Sequence, residues 1–383
     1  MAWNWLVPKE TITLASTQEE LDAIFRFRYT VYVEERGFTF GGVDHEQRTV
    51  CDAEDYLPTA RHVYAGTPEA IKGAGRLFVW DPQQVPQDWF DSYGMQAFPN
   101  IGDLRTCQLG RLAIGPGFRG KLILPSMISF MYEMMVRDED VQLLFCDCRP
   151  SLMKYYRRLG CRPYGAKLMP YGNGLAICLV SVLSDYDYYR SVGAVSANQV
   201  RKHFGRGGRT PLDQTPFEHL FADDNLRIEA AADRVFEELE DKLNEPATDG
   251  SDWLGELPPR VLKKLAGSGF LLELDRGDVM VREGVAEREL YVVMHGTAEV
   301  IRGDTCMAVV GAGSVIGEMA FFREAGVRTA TVRALDSCRV LVIRYKFLLE
   351  LKKSDPDAAF SIMFHLGQLL ADRLDSTSAA LGG

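Results

Sequence analysis

Residues 313–332 read Gly-Ser-Val-Ile-Gly-Glu-Met-Ala-Phe-Phe-Arg-Glu-Ala-Gly-Val-Arg-Thr-Ala-Thr-Val, and no other stretch constrains this chain as strongly. Gly317 lets the backbone approach a bound group closely. Glu318 supplies acceptor oxygens. Arg328, ten residues later, presents a guanidinium fork suited to a phosphate, a charge-assisted pairing of about 1.5–3 kcal/mol net. Thr329 adds a hydroxyl beside it. Upstream, Gly277-Asp278, Gly284, Leu290–Val293 and Gly296 alternate β-rich runs with turn glycines, and Cys338–Ile343 reads as a last strand. This is the pattern of a small antiparallel barrel. Two helices follow, Tyr345–Lys353 and one from about Pro356, with Asp355 as N-cap and proline at the first helical position. Ala359, Met363, Leu366, Leu370 and Leu374 give the second helix an apolar face.

At the same glutamate-to-arginine spacing, the segment from 253 to 378 resembles the cyclic nucleotide-binding domain of the catabolite activator protein family. The resemblance implies a jelly-roll barrel with C-terminal helices. It also implies a binding set of Gly317, Glu318, Met319, Ala320, Arg328 and Thr329, with Glu318 on the ribose hydroxyl and Arg328 on the cyclic phosphate of cyclic AMP or cyclic GMP. In that family the last helix closes over the nucleotide or pairs with a partner subunit, here a homodimer. A ligand-free barrel of the same shape is the alternative. The DNA-reading helix-turn-helix does not follow before Gly383, and a net charge of −10 argues against general nucleic-acid binding. The effector is therefore expected upstream.

A chain of 383 residues with 46% hydrophobic content has room for two to three domains. No apolar run reaches membrane-spanning length, and the N-terminus has neither a basic leader nor an apolar core. The eight cysteines show no metal spacing, so no metal is expected. Cys146-Asp-Cys148 lies in an apolar strand-like run and reads as packing. A reducing cytoplasm fits this cysteine usage.

Residues 1–189 alternate strands and helices. Helices are expected at Leu21–Glu35, Lys121–Val136 and Ser151–Leu159. Strands are expected near Tyr64, at Ala74–Val79, Cys107–Ile114, Leu143–Cys148 and Leu175–Leu183. Arg149–Cys161 carries Tyr156-x-x-x-Gly160 and resembles the closing motif of GNAT acyltransferases. Gln108–Ile114, followed by Phe118-Arg119-Gly120 and a helix, resembles their acyl-thioester motif. That resemblance implies a mixed sheet with flanking helices, an overall α+β chain, and a donor arm on Leu112, Ala113, Ile114, Arg119 and Gly120. Lys121, Leu122 and Ile123 replace the later glycines of the loop, which favours an acyl carrier protein over coenzyme A as donor.

Arg28-Tyr-Thr-Val-Tyr32, then Phe38, Asp52-Ala-Glu-Asp55, Gly75-Arg76 and Gln108-x-x-Arg111 resemble, in order, the motifs of acyl-homoserine lactone synthases and long-chain N-acyl amino acid synthases. The resemblance implies substrate binding by Arg28, Tyr32, Phe38 and Asp52, and catalysis around Asp55, Arg76, Gln108, Arg111 and Tyr156. Gln108 stands where that family has a glutamate and cannot act as a base. Water, Asp55 or Glu54 would take the amine's proton. Tyr156 holds the general-acid position or is a packed aromatic. Asp52 and Asp55 either order the site or form structural ion pairs with Arg28 and Arg76. Met127, Met131, Met134 and Met135 are core or line an acyl tunnel.

Residues 190–252 read as a linker with a charged helix, Leu226–Leu243, followed by a nucleotide-binding domain over 253–383. The expected whole is a cyclic-nucleotide-regulated N-acyltransferase moving a fatty acyl group from a carrier thioester to a small amino-acid amine. A regulated protein lysine acetyltransferase and an inactive sensor or scaffold are the rivals.

Overall fold

The computed structural model describes residues 11–38, 41–149, 152–165, 169–171, 174–222, 228–229, 232–243, 254–255, 257–285, 288–322 and 326–381. The linker residues 244–252 lie outside them. The chain divides into two compact units, Met1–Met169 with Ala176–Asn225, and Pro170–Leu175 with Leu226–Gly383.

The N-terminal strands are β1 (Ile12–Leu14), the hairpin of β2 (Val43–Asp44) and β3 (Thr49–Val50), then β4 (Ala60–Thr67), β5 (Ala70–Trp80), β6 (Thr106–Ile114), β7 (Leu143–Cys148), β8 (Arg162–Pro163), β9 (Met169–Tyr171) and β10 (Gly174–Val182). The main sheet runs β1-β4-β5-β6-β7-β10-β8, with β9 on β10. β6 and β7 are parallel, while β4–β5, β5–β6 and β7–β10 are antiparallel. A parallel pair needs a crossover. The helix between them is α3.

The helices here are α1 (Gln18–Tyr29), α2 (Gln87–Ser92), α3 (Ile123–Glu133), α4 (Met153–Arg157), α5 (Tyr186–Ser191) and α6 (Ala197–Phe204). Thr17 and Glu20 start α1 with a capping box. The helix expected through Glu35 stops at Tyr29 and passes into a π-turn, Thr30–Glu34. Such turns re-aim the side chains that follow them. Within the stretch read as linker, α6 is held against α3: His203 Nε2 lies 2.9 Å from Glu133, and Gln199 bonds Ser129.

The second unit is an antiparallel two-sheet structure. One sheet is β11 (Ile228–Glu229), β12 (Phe270–Leu274), β19 (Cys338–Arg344), β14 (Glu289–His295) and β17 (Val315–Ile316). The other is β13 (Val279–Val281), β18 (Thr331–Ala334), β15 (Ala298–Arg302) and β16 (Thr305–Val310). Its helices are α7 (Ala232–Leu243), α8 (Pro259–Ala266), α9 (Glu318–Phe322), α10 (Tyr345–Ser354) and α11 (Pro356–Leu381). Asp355 caps α11 through a 3.1 Å bond from the Ala358 N–H. The core joins Leu262, Leu265, Val292 and Leu341 to Ile362 and Leu366. The buried line of α11 is Ala358, Ala359, Ile362, Leu366 and Leu369, whereas Met363 and Leu374 of the expected face are exposed. The helix is apolar on two sides, and spacing alone does not choose between them. Among the described residues, no helix is long and apolar enough to cross a membrane.

Candidate active site and nucleotide pocket

β6 and β7 pair only from Thr106↔Leu143 to Leu109↔Cys146. Beyond that they part, although β6 runs on to Ile114 and β7 to Cys148. A β-bulge at Arg111, with φ of 52°, bends β6 against β5. The edge of Gly110–Ile114 that faces β7 is thereby left out of the ladder. Leu112, Ala113 and Ile114, expected on the donor arm, lie on it. Backbone groups released between two strands need a partner, and an extended amide-bearing arm is one.

Arg76, Gln108 and Asp147 share one face of the sheet, set by the registers Arg76↔Gly110, Phe78↔Gln108 and Gln108↔Phe145. On this face the structure assembles the sequence-predicted charges. Arg28 Nη1 donates to Asp55 Oδ1 at 2.9 Å, and Arg76 Nη1 donates to Asp55 at 2.8 Å and Asp52 at 2.9 Å. Arg111 Nη2 donates to the other Asp52 oxygen at 2.8 Å. Arg28 and Asp55 are buried. Burial raises the Asp55 pKa, but Arg28 and Arg76 more than offset this and hold it at about 2. At neutral pH, Asp55 is thus a poor proton acceptor and a strong pin for the two arginines.

His62 completes this core, although no motif pointed to it. Arg28 Nη2 lies 3.1 Å from its Nδ1, and its Nε2 lies 2.8 Å from the Asp55 carbonyl oxygen. Arginine can only donate and a carbonyl can only accept, so the proton sits on Nε2. Burial and then Arg28 depress the His62 pKa to about 4.

Tyr32 stacks on Phe38 with centroids 6.1 Å apart, and the Arg149 guanidinium covers Phe38 at 4.5 Å. Burial raises the Tyr32 pKa, opposed by Arg28 and Arg111. Arg119 is tied to Glu35 and to the Ile114 carbonyl at 3.1 Å. Gly120 takes φ of 77° in the turn before α3. Tyr156 lies in α4, and burial, then Cys146, Cys148 and Asp147, push its hydroxyl well above the usual range. Met127, Met131, Met134 and Met135 are all buried, and Met131 and Met135 line an apolar cavity with Leu77, Leu109 and Leu144.

Two residues that motif reading passed over extend from Gln108 as a hydrogen-bond chain. Its Nε2 donates to the Tyr93 hydroxyl at 3.0 Å, and Tyr93 donates to Asp147 Oδ1 at 2.7 Å. The signal was an aspartate inside an otherwise buried strand, since a charge there needs a partner or a purpose.

In the second unit a pocket is lined by Ile316, Gly317, Glu318, Met319, Ala320, Arg328 and Thr329 together with valines of both sheets. Arg328 is buried and donates to the carbonyls of Gly317 at 3.1 Å and Glu289 at 2.6 Å. Gly317 has φ of 93°, and a Cβ there would collide with Arg328 Nη1. Only glycine fits beside this guanidinium.

Residues 23–181 match the family model described as N-acyl amino acid synthase FeeM, and residues 271–355 match the cyclic nucleotide-binding domain. The chain thus joins a FeeM-like N-acyl amino acid synthase domain to a cyclic nucleotide-binding domain. Over 119 residues it is 32% identical to a cyclic nucleotide-gated cation channel protein of Drosophila melanogaster, covering 29% of this chain and 18% of that protein. Over 104 residues it is 29% identical to the cAMP-activated global transcriptional regulator CRP of Pasteurella multocida (strain Pm70), covering 26% of this chain and 48% of the other. The chain therefore spans less than half the length of either. The solved structure of FeeM, an N-acyl amino acid synthase from uncultured soil microbes, matches 50% of this chain and 99% of its own at 18% identity, with a TM-score of 0.40.

Proposed function

We propose that the first unit transfers a fatty acyl group from a carrier thioester to the amine of an amino acid, and that a cyclic nucleotide on the second unit regulates it. The observation that carries the reading is the parting of β6 and β7 beside the Arg28–Asp55–Arg76–Asp52–Arg111 network. On this reading the thioester arm would lie along the free Gly110–Ile114 edge, as in a GNAT-like transferase. Freed N–H groups there would stabilise the oxyanion that forms on attack.

The buried arginines cannot lose their protons, so the network stays charged over the working pH range. It orders the wall on which the acceptor's carboxylate would sit. The apolar cavity lined by Met131, Met135 and Leu109 has room for about one water as it stands, and the flexible methionine side chains would have to turn aside for it to receive the acyl chain. Each buried methylene contributes about 0.8 kcal/mol, which favours long chains over acetyl. Acyl carrier protein is the proposed donor, with coenzyme A as the other thioester source. In the second unit, Arg328 and Glu318 would hold cyclic AMP or cyclic GMP.

Thiol release from lauroyl and palmitoyl thioesters of both carriers, against a panel of free amino acids and with or without each nucleotide, tests the reading. Turnover with a free amino acid that changes when nucleotide is added is the expected result. Rates highest with acetyl-coenzyme A and a lysine peptide would overturn it.

A further inference from the structure

The proposed reaction needs a group to take the amine's proton, and neither Gln108 nor Asp55 supplies it. Gln108 is an amide, and Asp55 is pinned by two arginines with its pKa near 2. We propose that Asp147, on β7, is the general base of the acyl transfer, standing two residues along the neighbouring strand from the position opposite Gln108. This inference rests on the acyl-transfer reading above.

The geometry has three parts. First, Asp147 is the residue directly after Cys146, where the β6–β7 ladder ends, so its carboxylate stands where the strands part. Second, one carboxylate oxygen is fixed by the Tyr93 hydroxyl at 2.7 Å, while the residue as a whole remains partly exposed. Tyr93 itself is fully buried and is a positioning residue. Third, since Tyr93 donates to Asp147, its oxygen accepts from Gln108 Nε2, which also donates to the Leu109 carbonyl at 3.1 Å, and the Gln108 amide, its oxygen included, lies beside Gly110. That oxygen is buried without a hydrogen-bond partner among the described residues. A Cβ on Gly110 would lie 3.1 Å from it. A buried acceptor left unmet costs free energy, and an N–H of an amine that reached it would satisfy it.

The electrostatics agree with this role. Burial pushes the Asp147 carboxyl above the usual range, while Tyr93 and Arg111 pull it back. The groups that interact electrostatically with it are Tyr93, Arg111 of β6, Tyr156 of α4, Tyr164 beside β8 and Cys178 of β10, together with its strand neighbours Cys146 and Cys148, whose side chains alternate to the other face. Burial pushes the phenols and thiols upward, so they stay neutral and only Arg111 brings charge.

In the step, the free amine nitrogen attacks the thioester carbon and the C=O electron pair moves to oxygen. The N–H proton passes to Asp147. Collapse re-forms C=O and breaks C–S, and the departing thiolate takes the proton back from Asp147. Amine and thioester become amide and thiol, and Asp147 ends as it began.

The test uses the full chain, with lauroyl and palmitoyl thioesters of acyl carrier protein and coenzyme A and the standard amino acids. Thiol release is followed from about pH 5 to about pH 9. Asp147→Asn keeps an acceptor for the Tyr93 hydroxyl. It should lower kcat/KM about 100-fold or more, the usual scale for a lost general base, with unchanged thermal melting. Tyr93→Phe removes a donor that favours the carboxylate, so the acidic limb of kcat/KM should move to higher pH. A purely structural tyrosine would not move that limb. Adding Gln108→Glu to Asp147→Asn should restore part of the activity. If Asp147→Asn stays within a few-fold of an active wild type, or Tyr93→Phe leaves the limb in place, the inference is overturned alone. A wild type inert with every donor and amino acid overturns the acyl-transfer reading and this inference together.

Discussion

The buried cluster around Asp55 makes the acid stability of the first unit calculable. His62 has a folded pKa of about 4, against about 6.5 for a free histidine. A depressed folded pKa contributes stability that is complete above the unfolded value and is lost as pH falls toward the folded one. His62 therefore loses its contribution between about pH 6.5 and about pH 4. At about 1.36 kcal/mol for each pH unit of that window, the loss amounts to about 3 kcal/mol. Asp55 acts in the next window. Its folded pKa of about 2 lies below the ordinary 3.8, so its share, about 2.5 kcal/mol, is lost from about pH 4 down to about pH 2. Urea unfolding followed by the fluorescence of Trp80 and Trp89, both in this unit, should show stability falling by about 2–3 kcal/mol between pH 7.5 and pH 4.5. His62→Gln has no group to titrate there and should abolish most of that fall. Equal losses in wild type and His62→Gln would refute the assignment of a neutral, arginine-facing His62.

Arg328→Leu should weaken cyclic AMP or cyclic GMP binding about tenfold or more by calorimetry, because a charge-assisted pair worth about 1.5–3 kcal/mol is lost. Gly317→Ala should do at least as much harm to nucleotide binding, since its Cβ would displace the Arg328 guanidinium. Gly160→Ala should lower the stability of the first unit by about 2–4 kcal/mol in urea unfolding, from a strained φ and overpacking. Gly160 has φ of 88°, and a Cβ there would run into the Tyr189 ring. If nucleotide regulates transfer, saturating acyl thioester should change nucleotide affinity by the same factor as nucleotide changes thioester affinity, on a scale of about 5–150-fold. Identical nucleotide affinities with and without thioester would make the two units independent.

Local signals carried much of this protein. The glycine, glutamate and arginine of residues 317–328 are close in sequence, and their spacing limits what they can surround. The same holds for the Asp355–Pro356 helix start and for Tyr156-x-x-x-Gly160, where the glycine must accept a positive φ and a ring against it. The charges at 28, 52, 55, 76 and 111 were legible as a set because their order along the chain resembles the motifs of acyl-homoserine lactone and N-acyl amino acid synthases. Their pairing was not, because which carboxylate meets which guanidinium depends on strand register. Only tertiary structure made Asp55 a pinned, weakly basic group and Asp147 a partly exposed one with a raised pKa. The two are chemically identical in sequence. Two arginines outweigh burial at Asp55, while at Asp147 burial outweighs the pull of Tyr93 and Arg111. The face that α11 buries was likewise decided by packing, since hydrophobic spacing fits more than one side of that helix. Sequence fixes which groups a chain owns, but burial and neighbours, set by contacts far apart along the chain, fix their pKa values and their chemistry.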